Sequence, residues 1–247
     1  MIIESVTFDY TISMPYLYET HLHTSQVSSC AVTRGRDYIQ RYLDLGYTGI
    51  IVTDHFYNGN CSLKRNLPWE KWVHAFCRGY EDAREEGERL GLDVFFGWEE
   101  SFQGGDDYLV YGLDKQWLLE HPEVRFWTRE KQFEVVGQNG GCVVHAHPFR
   151  QQYYIRNIRF SVGLVDAVEV ANSAHNRSFD VQALAYAKKH RLPATSGSDI
   201  HIEEDVYGNN AMGVYLDKKI ESIYDYVDAV KSNSIRGLKV PSGRFNL

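Results

Sequence analysis

The sequence lacks any pair of cysteines at metal-ribbon spacing. Its four, Cys30, Cys61, Cys77 and Cys142, stand far apart with no CxxC. That excludes a zinc ribbon and a disulfide scaffold, and a reduced cytosolic setting is the simple reading. No run of about 18 consecutive apolar residues occurs, so no membrane-spanning helix is expected. The opening MIIESVTFDYTIS has neither a basic stretch nor a long apolar one. It does not read as a signal peptide, and cytoplasm is the expected compartment. An excess of positive charge is missing too: 26 Lys and Arg face 33 Asp and Glu, a net charge of −7. The footprint of a nucleic-acid binder is therefore absent, and a polymeric nucleic-acid partner is not expected.

What is present is ordinary in bulk and unusual in detail. The chain has 247 residues, 43% hydrophobic and 24% charged, enough to bury a core without cross-links. Aromatic residues reach 14%, with 17 Tyr, and serve either packing or a pocket. Short apolar runs alternate with segments of helical period. Residues 36–45 place Tyr38, Ile39, Tyr42 and Leu43 on one face before Gly46, and GIIVTDH at 49–55 reads as a buried strand. A helix opens at Pro68 and carries Trp69, Trp72, Val73, Phe76, Tyr80 and Ala83 to a stop at Gly91. Strands are expected at 93–97, 108–111, 142–148, 166–170, 193–196 and 213–216, with helices near 128–138, 178–190 and after Ile220. This alternation predicts an α/β fold with a mainly parallel sheet, open or closed into a barrel. No repeat or linker interrupts it, so residues 1–247 are expected to form one domain. The polar-aromatic stretch 149–163 reads as a long loop of the kind that carries function.

Chemistry gathers at the ends of these strands. His21 and His23 are two apart, so in a strand both rings face one side and can grip one ion, although HxH also occurs as a surface pair. Asp54 and His55 close GIIV, Glu99 and Glu100 follow DVFFGW, and His145 and His147 end CVV before Pro148. Asp199 and His201 follow Gly197 with the same alternation. Neighbours on an extended chain point opposite ways, so only one of Glu99 and Glu100 is expected to face a site. Each group alone has a bland reading as a turn or a solvated loop. Five together at strand C-termini, where such folds build their sites, point to a metal cage.

These segments resemble the PHP (polymerase and histidinol phosphatase) domain family. They are HLHT at 21–24, GIIVTDH at 49–55, GWE at 97–99, AHP at 146–148, VEVAN at 168–172 and GSDIH at 197–201, in the family's order. The resemblance implies a distorted (β/α)7 barrel of PHP type holding two or three Zn, Mn or Fe ions. It implies His21, His23, His55, Glu99, His147, Asp199 and His201 as ligands, with Glu169 beside them rather than among them. Two segments depart from it. Where many members have a further ligand after HxHT, this chain reads SQVSSC, with Gln26 and Ser28, neither a strong ligand for a divalent ion. Where many have a His after the bridging acid, it has Asp106 and Asp107, so Asp107 is a candidate ligand in that place.

The implied activity is hydrolysis of a small phosphoester. Clustered divalent ions lower the pKa of water towards ~7 and neutralise charge on a phosphoryl group. Asp54 (as orienter of His55), His145 and His201 are the catalytic candidates, and Arg150 and Arg177 are the candidates for binding phosphate bidentately. Arg156 and Arg159 read as surface residues, Tyr153, Tyr154 and Phe149 as pocket wall or packing. His74, His121 and His190 lack partner patterns; His175 follows the Glu169 strand and is left open. Three other readings are a non-catalytic metal-binding module, a C–N hydrolase of amidohydrolase type, and a nucleic-acid exonuclease. Intact ligand positions argue against the first. The absence of lysine at the strand ends argues against the second, and the acidic charge against the third.

Overall fold

The computed structural model describes residues 14–245, except 103, 154, 156, 208 and 209. Tyr154 and Arg156 therefore lie outside the described residues.

Among the described residues nine strands form one sheet in the order β7-β6-β5-β4-β3-β2-β1-β8-β9. They are β1 (Tyr16–Leu22), β2 (Gly49–Val52), β3 (Asp93–Phe102), β4 (Asp106–Tyr111), β5 (Cys142–His145), β6 (Ala167–Asn172), β7 (Ala194–Gly197), β8 (Gly213–Leu216) and β9 (Gly237–Lys239). β1, β2 and β3 run parallel, as do β5, β6 and β7. β4 is antiparallel to both its neighbours, because β3 reaches it through a tight turn containing Gly104 and Gly105, both at positive φ. So short a connection can only reverse the chain.

The sheet curls until its two halves meet. Leu22 bridges Ile200 in parallel, and the amides of His23 and Asp199 donate to the carbonyls of Ile200 and His21 at 3.1 and 2.8 Å. The result is a nearly closed, distorted barrel of β1 to β7, with β8 and β9 appended to β1. The seam needs Gly197. A Cβ there would lie 2.7 Å from Glu169 Oε1 and closer still to His21 Cβ.

Among the described residues seven α-helices cover the barrel: α1 (Ile39–Asp44), α2 (Trp69–Phe76), α3 (Arg78–Leu90), α4 (Lys115–Glu120), α5 (Arg129–Gln138), α6 (Arg177–His190) and α7 (Ile223–Lys231). The expected helix after Pro68 is two, divided at Cys77, and the second ends where Gly91 takes φ 90°. Thr128 caps α5 by accepting from the Lys131 amide, which fixes its start where the sequence places it. Strand β9 and helix α4 are too short for periodicity to reveal. Aromatic residues pack beneath α2, where Phe56 meets Trp72 and Phe76 edge-on, at 5.2 and 5.0 Å, and stacks on Trp98. Among the described residues no helix is long and apolar enough to cross a membrane.

Candidate metal centre

The C-terminal mouths of β1, β2, β3, β5 and β7 converge on one cluster. Among the described residues three overlapping sets have ligand atoms close enough to share an ion: His21 with Glu99 and His147, His21 with His23 and Asp199, and His23 with His55 and His201. All are buried except His201, which is half-buried. Together they are the seven residues that the resemblance implies as ligands.

The surrounding hydrogen bonds aim the rings. His21 donates from Nδ1 to Glu169 Oε1 at 2.9 Å, leaving Nε2 free toward the centre. That Nε2 lies 3.4 Å from Glu99 Oε1 and 3.6 Å from Asp199 Oδ1. His201 Nδ1 donates to the Asp199 carbonyl at 2.8 Å. His23 Nδ1 donates to Ser28 Oγ at 3.1 Å, and Ser28 donates in turn to Asp54 Oδ1 at 2.7 Å. Three imidazoles are thus held through Nδ1 with Nε2 available, the tautomer a ligand needs.

The cluster fits divalent ions better than it fits itself. His55 Nδ1 and Glu99 Oε2 stand 2.6 Å apart, yet are not aligned for a hydrogen bond, and neither buried atom has a hydrogen-bond partner. Orphaned polar atoms of this kind are rare in a folded interior. The Nε2 atoms of His21 and His23 face each other at 3.1 Å. Two nitrogens on one tetrahedral zinc stand roughly 3.4 Å apart, so the spacing suits a shared ion. Imidazole and carboxylate suit Zn, Mn and Fe alike. Despite burial, His55 and His21 hold the Glu99 carboxyl well below its usual range, and His21 and His23 do the same for Asp199.

Backbone strain marks the same place. His147 and Asp199 have φ of 28° and 56°, in a region that side chains seldom occupy. Because β5 ends at His145, the strand alternation expected to align His145 with His147 does not reach His147. His145 stacks on Tyr108 at 4.9 Å, and burial pushes its pKa down to about 3. That depression favours the neutral imidazole, a weak acid, and so speaks against His145 as the proton donor.

Other expectations are also revised. Asp54 does not support the His55 ring; it binds Thr24 and Ser28 and so steadies His23. Burial raises it to about 6. Asp107 belongs to none of the three sets: its carboxylate accepts from Ser101 at 2.6 Å and Arg150 at 3.0 Å. Arg177 is exposed at the first position of α6, away from the cavity. Glu100 turns from the cluster, and burial lifts it to about 8. Exposed His74 and Trp117-stacked His121 stay away from the cluster, and His175 lies 3.6 Å from Asp180.

A cavity of about 500 Å³ opens on the cluster, lined by Cys30, His55, Asn58, Asp107, Arg150 and His201 among others. Arg150 is the one Lys or Arg among its described lining residues. Sequence reasoning passed over two residues here. Glu19, fully buried, accepts from the amides of His21 and Ser198 at 2.9 Å and locks β1 to β7; its adjacency to the HxH motif was the available signal. Cys30 places Sγ 3.3 Å from His55 Nε2, and nothing in its spacing announces this.

No family model matches the sequence, and no curated protein does. Solved structures do match in fold. A two-domain protein from Bacteroides vulgatus containing a predicted PHP-like metal-dependent phosphoesterase aligns over 87% of this chain and 63% of its own, at 15% identity and a TM-score of 0.60. The lesion-specific endonuclease EndoQ of Pyrococcus furiosus aligns over 92% and 58%, at 14% identity and 0.56. An amidohydrolase from Chromobacterium violaceum with bound sulfate and no metal aligns over 86% and 96%, at 15% identity and 0.54. Likeness at such identity speaks to architecture, and in architecture this chain has the distorted barrel of the PHP-like metal-dependent phosphoesterases.

Proposed function

We propose that the protein is a metal-dependent hydrolase of phosphoesters, acting on a small phosphorylated substrate through two or three divalent ions. The observation that carries this is the set of three interlocking His and carboxylate groups at the barrel mouth, with Arg150 beside them. Bound ions would supply Lewis acidity to phosphoryl oxygens and acidify water at neutral pH. Glu169 and the Ser28–Asp54 pair hold His21 and His23 in a ligand's tautomer. Arg150 lies 3.0 Å from Asp107 and 3.5 Å from Asp199. Its guanidinium is thus held at the cavity's edge, where a planar fork can take phosphoryl oxygens bidentately. His201, with Nδ1 engaged by a carbonyl, serves as a ligand rather than as the proton donor.

Two features bear on the substrate. The cavity, at about 500 Å³, has room for a phosphorylated metabolite. The net charge of −7 disfavours a long polyanion. The fold likeness to an endonuclease gives that second argument no support, so nucleic acid belongs in the test. The metal-loaded protein should release phosphate from a panel of phosphomonoesters and lose this activity with chelator. Cleavage of single- or double-stranded DNA without phosphomonoester hydrolysis would overturn the small-substrate reading. Hydrolysis of amides alone would overturn the phosphoester reading.

A further inference from the structure

The last motif of the cluster ends at His201, yet the chain's last described turn comes back to within two hydrogen bonds of a ligand. There the Arg244 amide donates to the Pro241 carbonyl at 3.1 Å. Phe245 packs against the apolar cluster that Val168 and Val170 of β6 form with Ala183 and Ala187 of α6. This seats the largely buried Arg244 side chain where β6 ends. Its Nε donates to Asp180 Oδ2, and Nη2 donates to the carbonyls of Asn172 and His175, the second at 3.0 Å. Asp180, 1% exposed, also accepts from the Asn172 amide at 3.3 Å. The two charges therefore grip both backbone polar groups of Asn172. A buried ion pair is a costly way to fasten a tail and weak evidence for stability alone. Asn172 is itself fully buried, and its side chain completes the path. Its Oδ1 accepts from the Ala174 amide at 2.9 Å, which fixes the side-chain amide. Nδ2 then donates to Glu169 Oε2 at 2.9 Å and to Asp199 Oδ2 at 3.4 Å.

We propose that Arg244 is a positioning residue of the metal centre: with Asp180 it fixes the backbone of Asn172, and so holds the Asn172 amide on Glu169 and Asp199. Asp199 belongs to a ligand set, and Glu169 carries the His21 ring and the His147 amide. A shift of Asn172 would thus reach three ligands without altering any of them. Partners one step behind a metal's ligands change its affinity by about 10- to 100-fold. Arg244 stands one step further back, which puts its expected effect at the low end. Lysine is not its equivalent, because the planar guanidinium spans Asp180 and two carbonyls at once. The inference rests on the metal-centre reading and adds to it a residue of the C-terminal turn.

Zinc titration of the metal-free full-length protein against a chromogenic chelator tests it, with urea unfolding of the same samples as the measure of stability. Arg244→Gln should weaken the tightest zinc by about tenfold. Arg244→Lys, which keeps a charge beside Asp180 and so keeps the fold, should weaken it as well. Combining either with Asn172→Ala should cost no more affinity than Asn172→Ala alone, since both act along one path. Val230→Ala trims the buried face of α7 instead. It should unfold at lower urea and bind zinc as wild type does. A wild-type zinc constant in both Arg244 variants would overturn the inference and leave the metal centre standing. So would losses that multiply in the double variant, or an equal loss of zinc in Val230→Ala. Wild-type protein that binds no zinc would overturn both.

Discussion

His21 Nδ1 and Glu169 Oε1 lie 2.9 Å apart, both side chains fully buried, and this bond turns Nε2 of His21 toward two of the three ligand sets. Glu169 also accepts from the His147 amide at 3.1 Å and from Asn172 at 2.9 Å, so one carboxylate positions groups on three strand ends.

Replacing Glu169 with Gln should therefore weaken metal binding by about 10- to 100-fold, as loss of a carboxylate behind a ligating histidine does. Competition titration against a chromogenic chelator reads the affinity. An unchanged constant would show that Glu169 does not set the His21 ring.

Adjacent acids give a sharper contrast. Glu99 contacts His21, His23, His55 and His147, whereas Glu100 faces away and is held protonated near neutral pH by burial, with a pKa of about 8. Glu99→Gln should lose bound metal and activity together, and Glu100→Gln should keep both. Equal damage from the two would place the wrong acid in the cluster.

Arg150→Ala should lower kcat/KM for a phosphomonoester by about 10²- to 10³-fold, the range for removing one hydrogen-bond donor from a transition state. Metal content should not change, because Arg150 belongs to none of the ligand sets and meets Asp107 and Asp199 through its guanidinium. A lost metal ion would instead make Arg150 a structural support.

His145 gives a pH dependence with a definite sign. Burial depresses its pKa to about 3 in the folded chain, against about 6.5 when unfolded. The unfolded chain takes up the proton first as pH falls. The stability is therefore full above about 6.5 and is lost progressively as pH drops toward 3. For metal-free protein, the stability advantage of wild type over His145→Phe should shrink by about 2 kcal/mol between about pH 7.5 and about pH 5. Urea unfolding at both pH values measures this, and a constant gap would rule out a buried neutral imidazole.

Much of this centre was legible before folding, for physical reasons. HLH, TDH, GWE and SDIH sit on or just beyond apolar strands, where alternation decides which side chains share a face. Seven ligand candidates follow from that geometry and the family pattern. Alternation fails at His147, which lies past the end of β5 at φ 28° and so parts company with His145. Arg177 reads as a phosphate binder because it follows a site strand, yet the first turn of α6 carries it to the surface. Cys30 was missed because its proximity to His55 comes from a loop pinned across the barrel to Asn60 and His201, a contact between segments that no local pattern encodes.

The central claim is that this cluster is a metal centre with more than one ion. Elemental analysis of the full-length protein, loaded with zinc or manganese and freed of excess, tests it most directly. The account predicts two or more ions per chain, falling by at least one in Glu99→Gln. A wild-type protein that retains one ion or none would contradict it.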